Sequence, residues 1–311
     1  MSTLPRVLAD LPVSPAVIEL LAGKVELVPW AAGAQPGRFD AVYTYGHPTV
    51  DAAMLDRLTG VRVISNFGVG VDHIDVAAAT ARGVPVGNTP GILDGATADL
   101  AFALLLAAGR RIVEGDRYAR SPAFTRYDPT YLLGREVHSS TLGILGMGRI
   151  GVQVAKRARA FDMAVIYHNR HRRPDVEGHL GVRYVSKDEL LATADYVVLT
   201  VPLTAETRGL IGRAELARMK PTAALVNVSR GPVVDTAALT DALSSRTIRM
   251  AAVDVTDPEP LPRDHPLLRL DNVVITPHLG SATEETRRRM AEVSVENLLL
   301  GLAGQELRHR V

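Results

Sequence analysis

Two kinds of segment alternate along the chain. Short apolar runs rich in β-branched residues, such as Val61-Arg62-Val63-Ile64, have the length and composition of strands. Longer alanine- and leucine-rich stretches follow them and read as helices. Some helix starts are marked, as at Ser14-Pro15, an N-cap followed by proline at the first helical position. The pattern predicts strands near residues 7–9, 25–28, 40–44, 61–65 and 84–87, then one long helix over about 96–118. Beyond a loop with Pro122 and Pro129, a second array predicts strands near 142–145, 163–167, 196–200, 224–228, 250–254 and 273–275. A single helix over about 284–302 ends it.

Strands that alternate with helices form parallel sheets with crossover connections, so the fold class is α/β. The pattern breaks at Asn88–Thr97, where Pro90, Gly91 and Gly95 fall, and this marks a boundary between two units. A length of 311 residues agrees with about two domains. Paired α/β units commonly hold their ligand in the cleft between them.

Composition narrows the function classes. A hydrophobic fraction of 47% is ample for a buried core. The net charge of +1, from 35 basic and 34 acidic residues, gives no reason to expect nucleic acid or an anionic membrane as partner. There is no cysteine, which excludes disulfides, thiolate nucleophiles and cysteine zinc sites. His47, His73, His138 and His179 show no ligand spacing, so no metal is expected. The N-terminal stretch lacks the long apolar run of a signal peptide, and Leu100–Ala108 is too short to span a bilayer. The expectation is a soluble, cytoplasmic protein.

The strongest local signal is Gly146-Met147-Gly148-Arg149-Ile150-Gly151, which follows an apolar strand and opens an amphipathic helix. A bare GxGxxG is weak, but a strand before it and a second strand at 163–167 supply the βαβ context of a dinucleotide fingerprint. Gly146 permits the tight turn, Gly148 lets the backbone approach a pyrophosphate, and Gly151 allows helix and strand to pack closely. The helix N-terminus adds N–H groups and partial positive charge. A second pair, Gly68-Val69-Gly70, lacks the third glycine and reads equally as a sharp turn or a close-approach site for substrate.

The residues about 20 positions beyond the glycines select the cofactor. They read Tyr167-His168-Asn169-Arg170-His171-Arg172-Arg173-Pro174, with no carboxylate before Asp175. A ribose 2′-hydroxyl would lack its usual acidic acceptor there, whereas guanidinium suits a 2′-phosphate. NADP(H) is therefore expected over NAD(H), although a basic loop can also be plain solvated surface.

Three strings follow at the ends of expected strands: Asn227-Val228-Ser229-Arg230-Gly231-Pro232, Asp254-Val255-Thr256-Asp257-Pro258-Glu259-Pro260, and Thr276-Pro277-His278-Leu279-Gly280-Ser281. Alone, each has an ordinary reading as a surface charge, an exposed turn or a packed histidine. Together, downstream of the fingerprint, they make the chain resemble the D-2-hydroxyacid dehydrogenase family, and its glyoxylate/hydroxypyruvate reductase branch most of all. The resemblance spans about Asn66 to Gly304.

The resemblance implies two doubly wound units. A Rossmann cofactor domain, residues 97–281, would be inserted in a discontinuous flavodoxin-like substrate domain, residues 1–96 and 282–311. It implies a catalytic set of Arg230, Glu259 and His278, with Val69 and Gly70 offering N–H groups to the substrate carboxylate. Asp254 would face the nicotinamide. Cofactor contacts are expected from Gly146, Gly148, Arg149, Ile150 and Gly151 at the turn, and from Asn169, Arg170 and Arg172 after the second strand. Further contacts are expected from Pro202, Thr207, Val228, Asp254, His278 and Gly280. A homodimer is implied as well. One departure concerns the loop from Phe124 to Leu133, which carries Tyr127 and Tyr131 where related reductases can place tryptophans; the only tryptophan here is Trp30.

The chemistry implied is reduction of a small 2-oxo acid, glyoxylate or hydroxypyruvate, to the 2-hydroxy acid. Arg230 would bind the carboxylate and polarise the keto oxygen. Histidine has an ordinary pKa of about 6.5, near working pH, which suits His278 as the proton donor. Glu259 beside it would favour the imidazolium. The same machinery on 2-ketogluconate or a bulkier 2-oxo acid, or a nucleotide-sensing regulator on the same fold, remains open at the level of sequence.

Overall fold

In the computed structural model, which describes residues 4–10 and 12–311, the chain divides into two units. One comprises the chain up to Leu93 together with Ala282–Val311, and the other comprises Asp94–Ser281. Residues 1–3 and Leu11 of the expected first segment lie outside the described residues.

The first unit holds β1 (Arg6–Ala9), β2 (Glu26–Pro29), β3 (Gly37–Arg38), β4 (Ala41–Thr44), β5 (Leu58–Thr59), β6 (Ile64–Asn66) and β7 (Val86–Gly87). Five of them form a parallel sheet in the order β2-β1-β4-β6-β7, the flavodoxin-like order, while β3 and β5 make a separate parallel pair. Leu8, Val42 and Ile64 from the strands are fully buried. The helix Glu284–Leu302 packs on this unit, where Ser294 Oγ lies 2.8 Å from the Tyr43 hydroxyl and the Ser294 carbonyl accepts from Ser65 Oγ at 2.7 Å. The strand expected over 61–65 begins only at Ile64. Arg62 is instead drawn to Asp40 and to the Leu302 carbonyl, which its side chain bonds directly.

The second unit holds β8 (Thr141–Leu145), β9 (Ala164–His168), β10 (Arg183–Tyr184), β11 (Tyr196–Leu199), β12 (Ala224–Asn227), β13 (Met250–Val253) and β14 (Val273–Ile275). All seven are parallel, in the order β10-β9-β8-β11-β12-β13-β14. That is the doubly wound Rossmann order with one further strand at the edge. Burial of both faces explains why β8, β11, β12 and β13 read as continuous apolar runs rather than alternating ones.

The single helix expected over 96–118 is corrected by the structure into two, Asp94–Arg110 and Ile112–Ala119. Arg111 between them adopts a left-handed φ of 53° and forks onto Glu114 at 2.6 and 2.8 Å. The Gly109 carbonyl, a group the helix would otherwise use for its own ladder, accepts from Arg135 N at 2.7 Å. No residue of the second helix is fully buried, and it meets the core through the partly buried Val113.

Candidate active site

Arg230, Glu259 and His278 leave the same edge of the sheet on three adjacent strands. Arg230 follows β12, Glu259 lies in the loop after β13, and His278 follows β14. Neighbouring strands lie about 4.8 Å apart, so residues far apart in sequence emerge side by side at the carboxyl ends, where doubly wound sheets bind ligands. His278 Nδ1 is 2.7 Å from Glu259 Oε1, both side chains being partly exposed.

Two buried polar residues shape these loops, and the sequence reading gave Asn227 no role. Asn227, 1% exposed, accepts from Ser229 N and Oγ and donates through Nδ2 to the Arg230 carbonyl at 3.0 Å. Its signal in the sequence was a polar residue closing an apolar strand. Asp254, 2% exposed, accepts from Thr276 Oγ1 at 2.6 Å, Leu279 N at 2.7 Å and Gly280 N at 2.8 Å. Its carbonyl also accepts from His278 N at 2.8 Å. The residue expected to face the nicotinamide thus also grips the histidine loop on both sides. His278 itself is held in left-handed backbone at φ 57°, a conformation that costs a non-glycine residue energy and persists only where its surroundings enforce it. Gly231 is required by a different contact: a Cβ there would run into the Thr256 carbonyl, so the Arg230 loop lies directly on the loop that leads to Glu259.

The glycine turn follows β8 and opens the helix Arg149–Arg159. Gly146 has φ 105°, and a Cβ on Gly151 would strike the Gly146 carbonyl. A Cβ on Gly148 would meet nothing within 4 Å, so the turn presents open space at the position a pyrophosphate needs. These residues fit a dinucleotide. Arg149 pairs with Asp94 at 2.9 Å. In the loop after β11, Thr207 Oγ1 donates to the Pro202 carbonyl at 2.6 Å, tying those two expected contacts together. Ile150 is partly buried against the core and Val228 is buried.

The basic run after β9 is partly neutralised from within. Arg172 forks onto Glu177, whose carboxyl is held down at about 2 by that guanidinium and by the Tyr167 hydroxyl. Arg173 forks onto Asp175, likewise held at about 2, and donates to the Met147 carbonyl of the glycine turn at 3.2 Å. Asn169 Oδ1 accepts from Met147 N at 2.9 Å. Asn169 and Arg173 therefore brace the turn from opposite sides of one residue. Arg170 has no carboxylate within the run. Its charge bears on Glu206 beside Thr207, whose carboxyl is lowered first by the Thr204 hydroxyl and then, more weakly, by Arg170.

In the first unit, the loop Gly68–Gly70 is pinned through its carbonyls. Asn66 Nδ2 donates to Gly68 O and Gly70 O, and Asn88 Nδ2 donates to Val69 O, each at 2.8 Å. The Arg287 guanidinium stands 5.7 Å from the Phe67 ring centroid just before this loop.

No helix among the described residues is long and apolar enough to cross a membrane. Residues 102–280 match the family model of the D-isomer specific 2-hydroxyacid dehydrogenase NAD binding domain. A glyoxylate reductase of Korarchaeum cryptofilum is 49% identical over 267 residues, covering 86% of this chain and 80% of the relative. A glyoxylate reductase of Aeropyrum pernix is 43% identical, covering 97% and 94%. The crystal structure of an NADPH-dependent glyoxylate/hydroxypyruvate reductase from Sinorhizobium meliloti, in complex with NADP and malonate, superposes with a TM-score of 0.90 at 32% identity, covering 99% of this chain and 96% of that one. The chain belongs to the D-isomer specific 2-hydroxyacid dehydrogenases, and within that NAD(P)-dependent family it groups with the glyoxylate reductases.

Proposed function

We propose that this protein reduces glyoxylate and hydroxypyruvate to their 2-hydroxy acids, with NADPH preferred over NADH. The observation that carries the reading is the His278–Glu259 contact of 2.7 Å beside Arg230 on adjacent strand ends. Arg230 binds the substrate carboxylate and draws charge onto the keto oxygen. Glu259 holds Nδ1 of His278, which makes Nε2 the atom that delivers the proton. Bound nicotinamide cofactor supplies the hydride. Val69 and Gly70, with their carbonyls pinned by asparagines, offer N–H groups to the carboxylate.

The cofactor preference rests on Arg170. With Arg172 and Arg173 each locked to a carboxylate, Arg170 is the arginine of the run that meets a 2′-phosphate. Asn169, Pro202, Thr207, Val228, Asp254 and Gly280 complete the cofactor side of the proposal. Oxidation of NADPH and NADH followed with glyoxylate, hydroxypyruvate and 2-ketogluconate tests it. The two smaller acids with NADPH are expected to give the highest kcat/KM, and a higher value for 2-ketogluconate or for NADH would overturn the corresponding half.

The proposal includes a homodimer and a cytoplasmic location. The exposed apolar side chains of Ile112, Phe124, Tyr127, Tyr131 and Leu133 give a second copy a surface to cover. Sedimentation at the monomer's mass would remove the dimer, and cell fractionation decides the location.

A further inference from the structure

The Gly68–Gly70 loop takes its shape from the residues that follow β7. In a trans peptide the C=O and N–H point to opposite sides, so holding one carbonyl aims the N–H of the next residue. Thr89 N donates to the Gly68 carbonyl at 3.2 Å, and Asn88 Nδ2 donates to the Val69 carbonyl at 2.8 Å. Asn88 and Thr89 thereby set the directions of the Val69 and Gly70 N–H groups, the two that the proposed reaction turns toward the substrate carboxylate.

Asn88 is in turn held from two sides. Its N–H donates to the His309 carbonyl at 3.3 Å, and its own carbonyl accepts from Asn297 Nδ2 at 3.0 Å. Asn297, fully buried on the helix Glu284–Leu302, closes the circuit by accepting from His309 N at 3.1 Å through Oδ1. Gly87 leaves room for it, since a Cβ there would lie 2.9 Å from Asn297 Cβ. The segment His309–Val311 runs antiparallel along β7, the last strand of its sheet, pairing Arg310 with Gly87 and donating Val311 N to the Val86 carbonyl at 2.9 Å. It thus covers an edge whose backbone groups would otherwise stand unpaired beside Asn88.

We propose that Asn297 and the segment His309–Val311 are positioning elements for the substrate carboxylate, acting through Asn88 and Thr89 on the Val69 and Gly70 N–H groups. The proposal rests on the reading that those two groups receive the carboxylate. It gives residues that touch no reacting atom a hold on substrate affinity rather than on the chemical step. The carboxylate keeps its charge throughout the reduction, so hydrogen bonds to it are made alike in the bound substrate and in the transition state.

Steady-state kinetics of glyoxylate reduction by the full-length protein at saturating NADPH tests this, with oxamate as a carboxylate competitor that takes no hydride. Asn297→Asp keeps the acceptor for His309 N but sets an oxygen against the Asn88 carbonyl. It is expected to raise KM for glyoxylate and Ki for oxamate together, roughly tenfold, with kcat held within about twofold. Asn88→Ala cuts the bond to Val69 directly and should give the same split. The double variant should lose less than the product of the two single losses, because both act along one route. Val311→Pro removes only an edge N–H at an exposed residue, so it carries the test should Asn297→Asp not fold, and it is expected to move KM the same way by a smaller factor. An active parent whose KM the variants leave unchanged overturns the proposal, as do single losses that simply multiply or a loss carried by kcat. A parent that neither reduces glyoxylate nor binds oxamate removes the reading of the loop itself, and the proposal with it.

Discussion

Asp254 grips His278 and the residues that follow it: its carbonyl accepts from His278 N, and its carboxylate takes the N–H groups of Leu279 and Gly280 just beyond. The buried aspartate thereby holds the histidine in left-handed backbone, from which Nδ1 reaches Glu259. Asp254→Asn replaces one acceptor with a donor that faces an N–H or hydroxyl. The expected cost is about 1–3 kcal/mol of stability, with a lower kcat at near-normal fold. Thermal melting and steady-state kinetics on the same preparation check both, and an unchanged kcat would show that the loop holds its shape without the carboxylate.

Removal of the imidazole gives a sharper loss. His278→Ala is expected to lower kcat roughly a hundredfold or more, the scale of a general acid, while leaving NADPH affinity little altered. Glu259→Gln keeps a hydrogen-bond acceptor beside Nδ1 and is expected to lose less. Stopped-flow turnover together with fluorescence titration of NADPH separates the two effects. Near-normal turnover of the alanine variant would exclude His278 as the donor.

The arginines after β9 are expected to divide by role. Arg170→Ala should weaken NADPH roughly ten- to a hundredfold, the scale of a charge-assisted phosphate contact, and leave NADH nearly unchanged. Arg173→Ala removes a brace from Met147 and should weaken both cofactors by a similar factor. Dissociation constants for the two cofactors, measured at low and high salt, report the split. Equal losses in both variants would remove the basis for a dedicated 2′-phosphate contact.

One stability change is tied to pH. Burial pushes the Asp195 carboxyl up, but the Lys220 ammonium and the Thr141 N–H outweigh it and hold it below the ordinary carboxylate range. A carboxyl whose folded pKa is depressed stabilises the fold above its unfolded value, near 3.9, and loses that contribution as pH falls through the folded value. Asp195→Asn should therefore melt earlier than the parent at neutral pH, with the gap closing below about pH 4. Calorimetric melts across that range check it, and a constant gap would assign the effect to packing.

The element order and the site edge were legible because burial writes itself as apolar runs and glycine turns. The runs at 142–145, 196–200, 224–228 and 250–254 are strands buried on both faces, and the fingerprint marked the turn after β8. What was not legible depends on contacts between distant residues. The break at Arg111 follows from Arg135 capturing the Gly109 carbonyl, which nothing in residues 96–118 announces. The two-residue strands β3, β5 and β10 are too short to show a period. The basic run looked uniform, and only its folded shape pairs Arg172 with Glu177 and Arg173 with Asp175. Asn227 looked like the polar end of a strand and Asp254 like a residue facing the nicotinamide, yet their side chains also hold the loops of Arg230 and His278.

The most direct measurement of the central claim is product analysis of a reaction containing only the purified protein, NADPH and glyoxylate. Glycolate is expected to form in step with NADPH consumed, one for one, and formation should collapse in His278→Ala. NADPH consumption without glycolate, or glycolate formed equally by the parent and the alanine variant, would contradict the assignment of this site to 2-oxo acid reduction.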